Sequence, residues 1–170
     1  MRWRTLLAAF LLIVALALLA GAALVMPSET EAELEARMEK ERNPAKKAKE
    51  GARLARLKLR EAIAAYEERE AERGARLVSA YLGRIRDTWQ RLRSSGRNAA
   101  ADQRGFKELE FELRDDERML SDLERRVPYD ERNPVEKAEK EVERVRVEVM
   151  QALFPSARGP EVKKPSGPTP

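Results

Sequence analysis

Proline is missing from two long intervals of this chain, residues 45–127 and 135–154; its nine prolines fall at 27, 44, 128, 134, 155, 160, 165, 168 and 170. A proline inside a helix removes a backbone hydrogen bond and clashes with the preceding turn. Helices can therefore run through the proline-free intervals and must start or stop at the prolines. Within those intervals apolar residues recur at alternating spacings of three and four. Ala45, Ala48, Ala52, Ala55, Leu59, Ala62 and Tyr66 form one series, and Ala75, Val78, Leu82, Ile85, Trp89 and Leu92 a second. Phe106, Leu109, Leu113, Leu120, Leu123 and Val127 form a third, interrupted by Asp116, and Val135, Ala138, Val142, Val145, Val149 and Ala152 a fourth. Each stripe is long enough to pack on another helix, which predicts an all-α fold. Residues 44–154 are expected to form an antiparallel bundle of about four long helices with coiled-coil-like packing.

Boundary signals fit this reading. Ser28 and Glu31 have the spacing of a capping box, so a short polar helix is expected at 28–42, within a linker region 27–43. The tetrapeptide Glu-Arg-Asn-Pro occurs at 41–44 and again at 131–134. Asn is a preferred N-cap and Pro suits the first helical position, so each copy should open a helix. The stretches 41–59 and 131–149 share seven identities in 19 positions. That pattern fits an old duplication or two helices with the same cap and heptad, and it places the two helices in related positions. At Glu67-Glu68-Arg69-Glu70 the apolar stripe lapses and shifts phase. A tight helix–helix turn near 67–72 accounts for this better than one long rod. Ser94-Ser95-Gly96 is a further stop, with Gly96 able to take a left-handed C-cap conformation.

The two ends differ from the bundle. Residues 1–5 carry Arg2 and Arg4, and Leu6 to Met26 hold no charge, a 21-residue apolar run. At about 1.5 Å per residue such a helix spans a bilayer core. Ala20-Gly21-Ala22 also resembles a signal-peptidase site, so 6–26 reads as a transmembrane anchor or as a signal peptide cleaved near Ala22. Apolar character continues through Leu24, Val25 and Met26, which favours the anchor. Either way the arginines hold the N-terminus in the cytoplasm and the rest is exported. The tail 155–170 has five prolines and two glycines and is expected to be disordered.

Charge is laid down in blocks. Lys46, Lys47, Lys49, Arg53, Arg56, Lys58 and Arg60 stand against Glu50 alone, and five arginines of 84–97 against Asp87, whereas 106–126 carry eight acids against five bases. The 46–60 block is a candidate patch for an anionic partner. The preferred reading is that basic and acidic helices face each other inside the bundle. Asp116, on an apolar stripe, then needs an arginine or an exposed rim. A surplus of apolar residues lies off the stripes. With Ala52 at zero, Leu57 falls near 140° and Leu54 near 200°, taking about 100° per residue. Val147 repeats the Leu57 position, and Phe111 lies opposite its own stripe. Leu54, Leu57, Phe111 and Val147 are thus candidates for a partner or homo-oligomer surface, or for contact with a further helix. The Ala-rich stripe requires a bulky or unusually close partner helix.

Catalysis finds little support. The chain has no Cys and no His, which excludes thiolate, imidazole and zinc-finger chemistry. No Gly-rich phosphate loop is present, and no cofactor or metal site is expected. Asp115-Asp116-Glu117 is the densest acidic run, but successive helix residues diverge by about 100° and do not converge on one substrate. Nucleic acid fits poorly, since a net charge of +4 comes without aromatic platforms. The expected function is a non-enzymatic interaction or scaffold module, exported and held in the bacterial inner membrane by 6–26 with its C-terminal domain outside the cytoplasm. The alternative is a secreted periplasmic helical chaperone or stress sensor. The chain resembles small basic periplasmic chaperones in size and charge, yet lacks their Leu-Thr-x-x-Gln repeats. Phage inner-membrane spanins share the anchor-plus-helices plan, but the breaks at 67–72 and 94–96 fit them poorly.

The stripes make one prediction that needs no structure. Val145→Asp buries an unpaired charge and unfolds the bundle, while Val147→Asp on the opposite face leaves it folded. Thermal melts followed by circular dichroism check this, and equal harmlessness of the two substitutions contradicts the stripe assignment.

Overall fold

Five α-helices form among residues 30–155, the part of the chain that the computed structural model describes, with no strand among them. They are α1 (Glu31–Lys40), α2 (Pro44–Glu67), α3 (Ala71–Arg93), α4 (Phe106–Arg126) and α5 (Asn133–Leu153). The apolar run 6–26, the Ser28 cap and nearly all of the tail lie outside the described residues. No helix among the described residues is long and apolar enough to cross a membrane.

Local chemistry accounts for most of the boundaries. Asn43 caps α2: its backbone is extended and its Oδ1 accepts from the amides of Ala45 at 3.0 Å and Lys46 at 3.4 Å. Glu41 Oε1 in turn accepts from the Asn43 amide at 2.8 Å, so the first Glu-Arg-Asn-Pro copy works as the sequence predicts. The second copy does not. There a 3-10 turn over Tyr129–Glu131 leads through a helical Arg132, and Asn133 is already the first residue of α5, with no side-chain cap. The Arg132 Nε donates to the Val127 carbonyl at 2.8 Å, so the connection from α4 is closed by an arginine instead. The break at 67–72 is a tight turn, as expected. Its amides at Glu68, Arg69 and Glu70 donate back to the Ala64, Tyr66 and Ala65 carbonyls, with Arg69 in the left-handed region at φ 63°. Gly96, at φ 72°, follows the end of α3.

The helices make two antiparallel hairpins, α2–α3 and α4–α5, stacked on each other. Ion pairs set the register between them. Arg86 meets Glu141 and Arg93 meets Glu148, so α3 runs parallel to α5. Arg56 meets Glu112 and Arg126 meets Glu67, so α2 runs parallel to α4. Going round the bundle the order is α2, α3, α5, α4. The two Glu-Arg-Asn-Pro helices, α2 and α5, therefore stand at opposite corners and point opposite ways. One opens a hairpin and the other closes one, which does not match a duplicated hairpin.

All four stripes converge on the core. Ala52, Ala55, Leu59, Tyr81, Ile85, Leu113, Leu120, Val142, Val145 and Val149 are each at most 1 % exposed. The small residues of α2 let α3 approach closely: a Cβ added at Gly51 would stand 2.4 Å from Thr88 Oγ1. Bulk comes from Tyr81 and from Trp89, whose ring meets Phe106 edge-on at 6.2 Å across the bundle diagonal.

The short first helix is part of the bundle rather than a linker. It packs on α2 and buries Leu34. Glu31 accepts from Lys58 at 2.5 Å and Glu35 pairs with Arg84, so α1 is pinned to both helices of the first hairpin.

At the other end of α2, Gly105 has φ 85°, and a Cβ there would meet Ala45 Cα at 2.7 Å. Gly105→Ala should therefore lower stability by about 1–3 kcal/mol through strain and displacement of α2. Gly83, mid-helix with open space around its Cα, should gain about 0.5–1 kcal/mol on mutation to Ala. Urea titrations of the two variants check both signs.

Candidate interaction surface

Two polar features and one apolar feature stand out once the helices are in place. The first is buried. Asp116, on the inner stripe of α4, has no exposed surface. Its Oδ1 accepts from Arg56 Nε of α2 at 2.8 Å and its Oδ2 from the Tyr81 hydroxyl of α3 at 3.1 Å. The same guanidinium bonds the Glu112 carboxylate at 2.7 Å and the Glu112 carbonyl at 2.8 Å. The expectation of an arginine partner for Asp116 is met, and the group ties three helices. The acidic triplet diverges as helix geometry requires: Asp115 pairs with Arg118 at the surface, Asp116 faces the core, and Glu117 turns to Arg146 of α5. No substrate-sized space opens onto all three, and no acidic cluster among the described residues is arranged to hold a metal ion.

The second feature is the basic block of α2, which the bundle takes apart. Arg56 points inward to Asp116, Lys58 is held by Glu31 and Glu61, and Arg53 pairs with Glu50. Arg60 is exposed at mid-helix. Only Lys46, Lys47 and Lys49, near the start of α2, stay together without ion pairs among the described residues. One basic helix does face the acidic one, α2 meeting α4 through Arg56 with Glu112 and Asp116; the other, α3, lies diagonal to α4, and its Arg84, Arg86 and Arg93 pair instead with Glu35 of α1 and with Glu141 and Glu148 of α5.

The third feature is apolar. Of the four off-stripe candidates, Leu54 is 1 % exposed and so cannot form an open surface. Its side of α2 is covered by α1, a contact whose polar sequence gave little sign of it. Leu57 is half-buried beside it. Phe111 and Val147 remain open, at 50 % and 47 %. Arg146 turns towards α4, so the outer side of α5 next to α4 is carried by Val147, Met150 and Phe154, at spacings of three and four. Met150 and Phe154 are both exposed. Phe111 stands on α4 one residue after Glu110, the partner of Arg146, and therefore at the same level. Arg114 covers part of its ring at 4.8 Å, and the Arg114 Nε is buried without a partner. The structure thus keeps Phe111 and Val147, removes Leu54, and adds Met150 and Phe154. Phe154 escaped sequence reasoning because it follows the last helical residue, where helical periodicity no longer assigns a face.

No protein-family model matches the chain, and neither a curated protein nor a solved structure resembles it significantly.

The buried carboxylate makes stability depend on pH in an unusual direction. Burial pushes Asp116 from 3.8 up to about 6, against the downward pull of the Arg56 charge and hydrogen bond and of the Tyr81 hydrogen bond. The folded state then holds this proton more tightly than the unfolded one. The contribution is full below the unfolded value and is lost as pH rises through the folded value. Rising pH should cost up to about 3 kcal/mol at 1.36 kcal/mol per unit. Glu139, pushed up by burial and by Glu124, acts in the same direction. Glu141 acts oppositely: hydrogen bonds from Arg144 and Arg86 hold it at about 2, so its stabilisation fades as pH falls from its ordinary 4.5 towards 2. Between the two regimes, from about pH 4.5 to 6, urea midpoints should fall as pH rises. In Asp116→Asn most of that slope should disappear, leaving the Glu139 part. An unchanged slope in the variant would show that Asp116 does not titrate there.

Proposed function

We propose that the protein is a non-enzymatic interaction module of the bacterial envelope, tethered in the inner membrane by residues 6–26 with its bundle outside the cytoplasm. The four-helix hairpin stack, coiled-coil-like in its stripes, serves as a rigid scaffold for one working face. The observation that carries this reading is the outer face of α4–α5, where Phe111 stands open on α4, and Val147, Met150 and Phe154 follow one another along the last two turns of α5 and its C-terminal cap. Single exposed apolar residues are ordinary, but four on one face mark a place of contact. Rigid helices hold Phe111, Val147 and Met150 in fixed geometry, with Phe154 on the cap that follows α5, which suits recognition of one partner or a second copy. A chaperone for many unfolded clients would be served by a concave apolar cradle, whereas Phe111 and Val147 point away from the core stripes of their own helices. Support for an enzyme is correspondingly thin, because the buried Asp116 group is committed to holding helices together.

The face can be tested in cells producing the full chain, with a photo-crosslinking amino acid placed at Val147 or, as a control, at Glu72 in the opposite turn. A discrete crosslinked species is expected from 147 and not from 72. Phe111→Asp should reduce its yield about tenfold or more, as for an aromatic contact worth on the order of 2 kcal/mol. The same pattern from both positions, or none from 147, would contradict the assignment of this face.

A further inference from the structure

The hairpin stack sorts charge by its ends, a property that no single segment of the sequence displays. Because α2 and α4 run parallel, their starts lie together, joined by the end of α3 and the 94–105 connection. Segments 40–49 and 90–108 supply this end with ten basic residues against three acids, and the last turns of α5 add one more acid, Glu148, which pairs with Arg93. At the opposite end, segments 62–74 and 121–137 carry six basic residues against nine acids. The three acids of those two segments are engaged locally. Glu41 accepts from the Asn43 amide, Glu108 from the Gly105 amide, and Asp102 pairs with Arg97 and Arg104. Arg42, Lys46, Lys47, Lys49, Arg91 and Lys107 make no ion pair among the described residues.

This end also has a place for a small anionic group. A cleft of about 210 Å³ opens between the start of α2 and the 94–105 connection, lined by Lys46, Lys49, Arg97 and Arg104 with Asn43, Ala45 and the carboxylate of Glu108, which is turned to the Gly105 amide. The Arg97 Nε faces no partner although it is buried. Unpaired cations gathered at one end of a bundle are the chemistry of a protein surface that rests on the phosphates of an anionic bilayer.

We infer that the basic end of the bundle, built by Lys46, Lys47 and Lys49 of α2 with Arg91 of α3 and the 94–105 connection, docks on the phosphate-bearing headgroups of an anionic bilayer. This rests on the tethered reading, which keeps the bundle at a membrane surface. It adds a second, electrostatic contact that holds one end of the bundle against the lipid. The contact weakens as salt screens it.

The chain has no cysteine, so single-cysteine fluorescent labels report one position each. The full chain is labelled at Ala101→Cys, exposed in the 94–105 connection, or at Glu72→Cys at the far end. It is then reconstituted in vesicles of phosphatidylcholine alone or with added phosphatidylglycerol. The label at 101 should shift to the blue and resist iodide quenching only with phosphatidylglycerol, and lose both effects in high salt; the label at 72 should not respond. The combined Lys46→Glu, Lys47→Glu and Lys49→Glu substitutions should weaken the anionic-lipid contact on the order of 100-fold. These lysines are exposed or half-buried and unpaired, and an unchanged circular dichroism spectrum confirms that the fold survives. Identical responses on both lipids, a blue shift that survives the substitutions, or a label that answers heparin but not phosphatidylglycerol would each overturn the inference. Failure of the tether shows separately, as a chain that does not float with neutral vesicles.

Discussion

The bond network around Asp116 is the constraint on which the rest of the bundle depends. A carboxylate without exposed surface must be compensated, and it is compensated by Arg56 from α2 and Tyr81 from α3 while sitting on α4 itself. Two hairpins that could slide along a purely apolar seam are thereby fixed in one register. Arg56 extends the tie by reaching the carboxylate and the carbonyl of Glu112. With α2 and α4 locked side by side in parallel, Gly105 is brought against Ala45 at their shared end, where a side chain would not fit. The fixed register also determines which loops meet. The basic starts of α2 and α4 share one end and the acidic turns the other.

Much of this was legible before any coordinates, and the failures have particular causes. The four stripes, the turn at 67–72, the stop at 94–96 and the need of Asp116 for an arginine are local or periodic signals, and each survives in the structure. The Ala-rich stripe of α2 implied a close neighbour, which Gly51 against Thr88 supplies. For Leu54 the further-helix reading holds and the open-surface one fails, a choice the sequence left open because its cover, α1, is a ten-residue helix of low apolar content. Leu34 is the only buried residue on that helix, and its ion pairs to Lys58 and Arg84 depend on tertiary placement. Asn133 repeats the Asn43 signal in a different setting. The 3-10 turn before it already sets a helical path, so the chain enters α5 without a side-chain cap. The basic end was illegible for a different reason: it is assembled from segments about 50 residues apart in sequence, and only the parallel stacking of the hairpins unites them.

Placed together, the surfaces suggest a division of labour. The core is sealed and polar groups inside it serve cohesion. The outer α4–α5 face offers apolar anchors fixed on rigid helices. The basic end offers cations that the bundle leaves unpaired. A scaffold of this kind acts by where it is held and what it touches, and both depend on the membrane tether proposed for residues 6–26. If that segment stays attached, the bundle meets partners and lipid at high local concentration, and weak contacts suffice.

The most direct test of the account is therefore the intact mass of the full-length gene product recovered from the producing cells. The tethered reading predicts a membrane-extracted species carrying the whole 19.4 kDa chain, including the 6–26 segment. A product found in the soluble periplasmic fraction, shortened by cleavage after Ala22, would contradict it and leave a freely diffusing bundle instead.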